Sequence, residues 1–389
     1  MKVLLVGRPQ LAIRGGGDKV VILKTQEYLR KLGNDARVTY DISPDYRGFD
    51  IAHLFTLSTW HAAKKAREYG IPYVLSTIYW DPSEAEAWVL SQKSASLKLL
   101  RRILSINDSL WNLVSLLRSA RRLSGANLSG VRKAWQVSWS NYQIKKEEFL
   151  RSRQVLEWAS YLTPSSGIEM KHVEHKFGGS YPYTVVPHGV ESWFAEGNDE
   201  EFIKRHKMKD FVLCVSATFG YRKNQLSLIR ALKGTGLPLV IIAGAYSRAE
   251  RRYYKKCRRE ADSSVKFVPP IPREELPSAY KAAQVFALPS LFETPGLVCL
   301  EASAAGCNVV GTAVGSAKEY LGQFGWYCNP YDVTSIKQAV LEAYNSPKRK
   351  ETQEYVLKNF TWERAAKLTL EVYHKVLNGM SEKYDVRAD

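Results

Sequence analysis

The chain is poor in cysteine, has one long stretch almost without acids, and carries no long apolar run. Its five cysteines, Cys214, Cys257, Cys299, Cys307 and Cys328, are odd in number and show no CxxC spacing. That pattern argues against a disulfide framework or a cysteine-based zinc site and points to free thiols in a reducing cytosol. Cys214, Cys299 and Cys307 stand in apolar surroundings and are expected to be buried. No stretch approaches the ~18 consecutive apolar residues of a spanning helix. The opening MKVLLVGRPQ is interrupted by Arg8 before it reaches the length of a signal peptide. There is no GxGxxG, so a dinucleotide cofactor finds little support. His172 and His175 share a helix face but lack a third ligand, so no metal site is expected there.

What is present suits a globular protein. With 389 residues, 45% hydrophobic and 12% aromatic, the chain has enough apolar surface for two domains. The net charge is +17, and it is unevenly placed. From Ala87 to Lys146 there are eleven Lys/Arg against one acid, Asp108. The same segment carries a helical apolar pattern (Leu97, Leu100, Leu104, then Leu110, Leu113, Val114, Leu117) with Trp88, Trp111, Trp135 and Trp139 nearby. Two readings stand: a basic amphipathic stretch suited to an anionic membrane surface or a phosphate-bearing partner, or a helical subdomain whose basic face is only solvated.

Elsewhere short apolar runs alternate with helical patterns. KVLLVG, DIAHLF, YVLSTI and YLTPSS read as strands of one series; FVLCVSA, LPLVIIAG, VKFVPP, QVFALPS and NVVGT read as a second. Continuous apolar strands separated by helices predict parallel sheets covered on both faces. The fold expected is therefore α/β, two doubly wound Rossmann-like domains joined near Pro187 to Gly197. The boundaries expected are 1–187 with a basic helical insertion over 85–150, 188–365, and a terminal helix 366–389 packing back on the first domain. Ligands of such sheets bind beyond the carboxyl ends of the strands, so the cleft between the domains is the expected site.

Three stretches have the residue types for that chemistry. Gly15-Gly16-Gly17-Asp18 lies between the first strand and first helix, where backbone N–H groups can approach a phosphate; a plain glycine turn with Asp18 as N-cap is the alternative. SATFGYRKNQ, residues 216–225, again follows a strand and opens a helix, and brings Arg222 and Lys223 to meet an anion, against ordinary surface basicity. LPSLFETPGLVCLEASAAGCNVVGT, residues 288–312, places Glu293 on the loop after a buried strand, a Thr294-Pro295-Gly296 turn with exposed amides, and Glu301 a turn into the next helix. Carboxylates accepting from vicinal hydroxyls are how proteins hold ribose and pyranose rings. Ordinary helix-start charges are the alternative for both acids.

The run ALPSLFETPGLVCLEASAAGCNVVGTAVGSAKEYL resembles the E-x7-E region of retaining glycosyltransferases of family 4, which have the GT-B fold. GGGD resembles that family's first glycine loop, VVPHGVE its linker motif, RKNQLSLIRAL its phosphate-binding helix start, REELPSAYKAAQVFALPS the segment before the acids, and FTWERAAKLTLEVYHKVL its terminal helices. The resemblance implies Glu293 on the donor sugar's hydroxyls and Glu301 on the nucleotide ribose. It implies Lys223, with Arg222 beside it, on the diphosphate leaving group, and Gly15, Gly16 and Gly17 near the phosphates or acceptor. Backbone amides around Gly296 and Leu297 would complete the donor site. It further implies no cofactor and no metal; no D-x-D pair is placed to bind one, and Lys223 takes the cation's electrostatic part. Many members carry an arginine five positions before the lysine; here that position is Thr218. On the acceptor side Tyr79, Trp80 and Asp81 stand where a histidine is expected, and His188, in place of the linker asparagine, reads as a turn residue.

The function expected is a cytoplasmic hexosyltransferase, peripheral at the membrane through 87–146, whose partners are a nucleotide sugar and a hydroxyl acceptor of lipid-linked or polysaccharide-precursor type. A catalytically inactive nucleotide-sugar binder and a basic nucleic-acid-binding protein are the alternatives. No nucleic-acid recognition module is visible, which disfavours the second.

Overall fold

The structure is a computed structural model, and it describes residues 1–13, 16–91, 144, 146–294 and 296–385. Gly15, Pro295 and nearly all of the basic segment 87–146 therefore lie outside the described residues.

Two parallel sheets form. The first runs β2-β1-β3-β4-β5, with β1 Lys2–Val6, β2 Asp35–Thr39, β3 Ile51–Phe55, β4 Tyr73–Ser76 and β5 Tyr161–Leu162. The second runs β11-β10-β9-β6-β7-β8, with β6 Phe211–Thr218, β7 Leu239–Gly244, β8 Val265–Val268, β9 Ala283–Ala287, β10 Asn308–Thr312 and β11 Trp326–Cys328. Every pairing is parallel. The central strands β3, β7 and β10 are buried at every position, because helices cover both faces. All five cysteines are buried and unpaired.

The terminal helix Trp362–Asp385 crosses back to the first sheet. Its Trp362, Ala365, Val372, Tyr373 and Val376 pack with Val3, Leu5, Ile22 and Phe55. A polar pin fastens it there. His53 of β3 places Nδ1 2.7 Å from the Tyr373 hydroxyl and Nε2 2.9 Å from the Ser76 hydroxyl.

Burial pushes the His53 imidazole down to about 3 and that of His188 to about 4. Both are neutral when folded, while the unfolded chain takes up protons at the ordinary value near 6.5. Their contribution is thus complete above about pH 6.5 and is lost as pH falls below it. The loss is on the order of 1 kcal/mol per pH unit for each histidine until its folded pKa is reached. Denaturant unfolding between pH 7 and 4 should show this slope, and His53→Gln should flatten it.

Positive charge is not confined to 87–146. The helix Arg248–Glu260 carries Arg248, Arg251, Arg252, Lys255, Lys256, Arg258 and Arg259 on its outer side, with Tyr253 and Cys257 buried beneath. Among the described residues no helix is long and apolar enough to cross a membrane.

Candidate active site

The loops at the carboxyl ends of β1, β6 and β9 converge between the two sheets. After β6 the chain makes one 3-10 turn, Tyr221–Lys223, and Asn224 adopts a left-handed conformation at φ 58° before the helix Gln225–Leu232. The buried Asn224 amide donates to the carbonyls of Pro289 at 3.0 Å and Pro330 at 2.8 Å, and the Leu291 N–H donates to the Arg222 carbonyl at 2.8 Å. These bonds fix the basic loop against the acidic one.

They bring the residues of two sequence motifs together. Lys223 Nζ lies 2.5 Å from Glu293 Oε2, which also accepts from the Ser290 hydroxyl at 3.0 Å. Burial pushes the Glu293 carboxyl up, but Lys223 and Arg222 outweigh it and hold it below the usual carboxylate range. Arg222 is exposed and lies over the Phe292 ring. Thr218, at the end of β6, offers no charge; its carbonyl accepts from Ser216 and Gln225.

Gly296 turns the loop into the helix Leu297–Ala304. It sits at φ 61°, ψ 72°, and a Cβ there would lie 2.9 Å from Glu293 Cγ. Both the left-handed backbone and the tight approach call for glycine. A glycine cap supplies no side-chain acceptor, so the first amides of this helix stay available to an anion.

Across the cleft, Gly16 precedes the helix Gly17–Lys31. Gly16 has an extended backbone at φ 173°, and a Cβ there would meet nothing within 4 Å. The fold itself does not demand glycine at Gly16; its bareness leaves room at the helix amino end. Gly17 faces Leu297, whose Cδ1 would lie 3.9 Å from an added Cβ. The glycine loop and the second acid's helix therefore confront each other. Asp18 is not the N-cap: it lies in the first turn and pairs with Arg8 at 2.6 Å.

The candidate acceptor residues have structural partners. Asp81 accepts from the Ser83 N–H and hydroxyl at 3.0 and 2.5 Å and starts the helix Ser83–Ser91. The Tyr79 ring meets Phe177 and its N–H donates to the buried Glu169. The Trp80 ring lies tilted against that of His172, with ring centroids 3.8 Å apart. His188 is buried, and its N–H donates to the Tyr320 hydroxyl at 3.0 Å.

Glu301 is placed less simply than its spacing suggested. Its Oε1 accepts from Arg273 Nη2 at 2.7 Å and Nε at 3.2 Å, and the Tyr280 hydroxyl donates to Oε2 at 3.3 Å. Arg273 also forks onto Glu191 at 2.6 and 2.8 Å, and Glu191 meets Lys24 of the first domain at 3.2 Å. Glu191 ends the run VVPHGVE and Arg273 begins REELPSAYKAAQVFALPS, but nothing in the sequence joined the two or marked Lys24, since charges far apart in the chain do not name their partners.

Residues 197–359 match the family Glycosyl transferases group 1. The chain is 32% identical over 113 residues to O-antigen chain mannosyltransferase B of Escherichia coli, a stretch covering 28% of this chain and 30% of that protein. It thus spans under a third of that relative's length. It is 28% identical over 279 residues to the GDP-mannose-dependent alpha-(1-6)-phosphatidylinositol monomannoside mannosyltransferase of Mycolicibacterium smegmatis, covering 64% of this chain and 70% of the relative. In fold it is similar to sucrose-phosphate synthase from Thermosynechococcus elongatus, with a TM-score of 0.70 at 14% identity, covering 97% of this chain and 100% of the other. Residues 197–359 thus match the glycosyl transferases group 1 family, and the chain as a whole has a two-domain α/β fold of the GT-B kind.

Proposed function

We propose that the chain is a retaining hexosyltransferase of family 4 type that moves a sugar from a nucleoside-diphosphate donor to a hydroxyl acceptor. The observation that carries this reading is the pair of half-buried Lys223 and buried Glu293, at the carboxyl end of the second sheet between two helix amino ends. Lys223 and Arg222 are assigned the diphosphate, and Lys223 takes the electrostatic part a cation would play. Glu293 is assigned the sugar hydroxyls and Glu301 the ribose. The amides at Gly296 and Leu297 and the bare backbone at Gly16 and Gly17 line the remaining space. The acceptor oxygen bonds to the anomeric carbon as the bond to the diphosphate oxygen breaks. Because attack comes from the leaving group's face, the acceptor proton passes to the departing diphosphate.

The acceptor proposed is a lipid-linked or envelope-polysaccharide precursor. The two mannosyltransferase relatives, one of O-antigen chains and one of phosphatidylinositol monomannoside, support it, as does the basic composition of 87–146.

A thermal-shift screen against UDP, GDP, ADP and their sugar conjugates, without added metal, tests the reading. Ligands that bind the folded state alone raise the melting temperature by mass action. One nucleoside diphosphate should give a clear shift. Glu301→Ala should weaken its binding by roughly 1–3 kcal/mol, whereas Glu293→Ala should lower turnover with less effect on nucleotide binding. Equal effects of both variants on binding would reverse the assignment of roles, and silence across the panel would favour a chain without donor binding.

A further inference from the structure

Arg273 is the guanidinium between two buried acids. Glu191 and Glu301 are 6% and 5% exposed, and they come from segments 82 and 28 positions away from Arg273. Its flat face lies over Trp193 and Phe194, 5.3 and 5.0 Å from the ring centroids. Fork geometry on one side and aromatic rings beneath fix the guanidinium in a way a flexible ammonium cannot match.

We propose that Arg273 is a positioning residue of the nucleotide site, which aims Glu301 and keeps it ionised to receive the ribose hydroxyls. This rests on the donor-site reading above. Both Arg273 bonds fall on Glu301 Oε1 and hold that oxygen against the guanidinium. Among the described residues Oε2 has only the long 3.3 Å bond from Tyr280, and it retains lone pairs for hydroxyl donors.

The charge state matters as much as the aim. A protonated carboxyl would offer a donor where the ribose also donates. Burial pushes the Glu301 carboxyl above its ordinary value, and Arg273 opposes that rise. The titratable and charged groups around it are Arg273, Glu191, Tyr280 and Cys299, with Lys24 and Glu27 beyond Glu191. The Cys299 thiol is pushed up to about 12, and Tyr280 rises well above its ordinary range; both remain neutral near neutrality. Glu191, an acid, raises the Glu301 carboxyl further. Arg273 is therefore the one cation in direct contact with Glu301 among the described residues.

Removing it should let Glu301 take a proton closer to neutrality. The experiment measures nucleoside-diphosphate affinity by calorimetry from pH 5 to 8.5, using the nucleotide that shifts the wild type. Arg273→Gln is expected to weaken binding about tenfold at pH 7.5 and to move the acid-side loss of binding upward by about one pH unit. At saturating donor kcat should change little, so the effect falls in KM. Arg273→Lys should restore the pH profile, since it keeps the charge, but not the full affinity, since it loses the fork. It also carries the test if the glutamine variant fails to fold.

In a Glu301→Gln background, whose side chain cannot ionise, Arg273→Gln should cost little further affinity. Wild-type-like affinity and pH profile in Arg273→Gln, with binding lost in Glu301→Ala, would overturn the inference. Fully additive losses in the double variant would overturn it as well. Absence of nucleotide binding by the wild type would instead overturn the donor-site reading beneath it.

Discussion

Replacing Lys223 by alanine is expected to lower kcat by about 10²–10³-fold, the range for losing one preorganised group that meets charge developing in the transition state. The side chain is 16% exposed and already rests on Glu293, so its ammonium is in place before the diphosphate begins to depart. The substitution also removes the nearest cation from a buried carboxylate. Arg222 remains to lower the Glu293 carboxyl, but burial, the larger influence, raises it. A stability loss should therefore accompany the kinetic one, and pH separates the two.

In the wild type Glu293 titrates below its ordinary value, so its contribution is present above about pH 4.5 and is lost below it. In Lys223→Ala it should titrate above that value, and its charged form then destabilises at neutral pH. The melting-temperature deficit of the variant should shrink as pH falls from 7 towards 5. The loss of kcat should persist at every pH, because a protonated Glu293 does not replace the missing cation. A deficit independent of pH would mean that Lys223 does not govern the charge of Glu293.

Gly189→Ala is expected to be the most damaging single substitution for folding, by about 3 kcal/mol or more, the upper end of overpacking costs. The reason is steric. A Cβ at Gly189 would lie 2.1 Å from the Trp362 backbone nitrogen and 2.4 Å from the Thr361 carbonyl carbon. Neither is the free end of a side chain, so neither can move aside alone. The adjacent Val190 N–H donates to the Phe360 carbonyl at 2.9 Å, and Val190 bridges to Thr361. Two strands of chain thus cross here: the connection leaving the first sheet and the return that begins the helix Trp362–Asp385. Denaturant unfolding should show a lower midpoint, and loss of the tyrosine–histidine pin at Tyr373 should accompany it. A stability change below about 1 kcal/mol would show that the crossing can open without cost.

The sequence carried the fold well where burial is two-sided. β3, β7, β9 and β10 stood out as continuous apolar runs because helices cover both faces of these strands. β2 and β11 did not stand out. They are edge strands, with sequences DARVT and WYC and partly exposed positions. A half-exposed edge has neither a continuous apolar run nor enough length for clear alternation. Glu293 and Lys223 were legible because each follows a strand and opens a helix, and strand ends in such sheets face the ligand. Tyr79 and Asp81 were singled out by the family resemblance, as residues standing where a histidine is expected, and the structure gives them packing and capping partners.

By itself the sequence determined the fold class and the order of the two strand series along the chain, because these follow from local periodicity and from turn residues beside one another in the chain. Tertiary structure alone decided that Lys223 closes on Glu293 and that Glu301 shares Arg273 with Glu191. It also decided that Gly189 has no room for a methyl group. Each of these is a contact between segments far apart in sequence, set by how helices settle on two sheets, and charge or size at a single position does not name its partner.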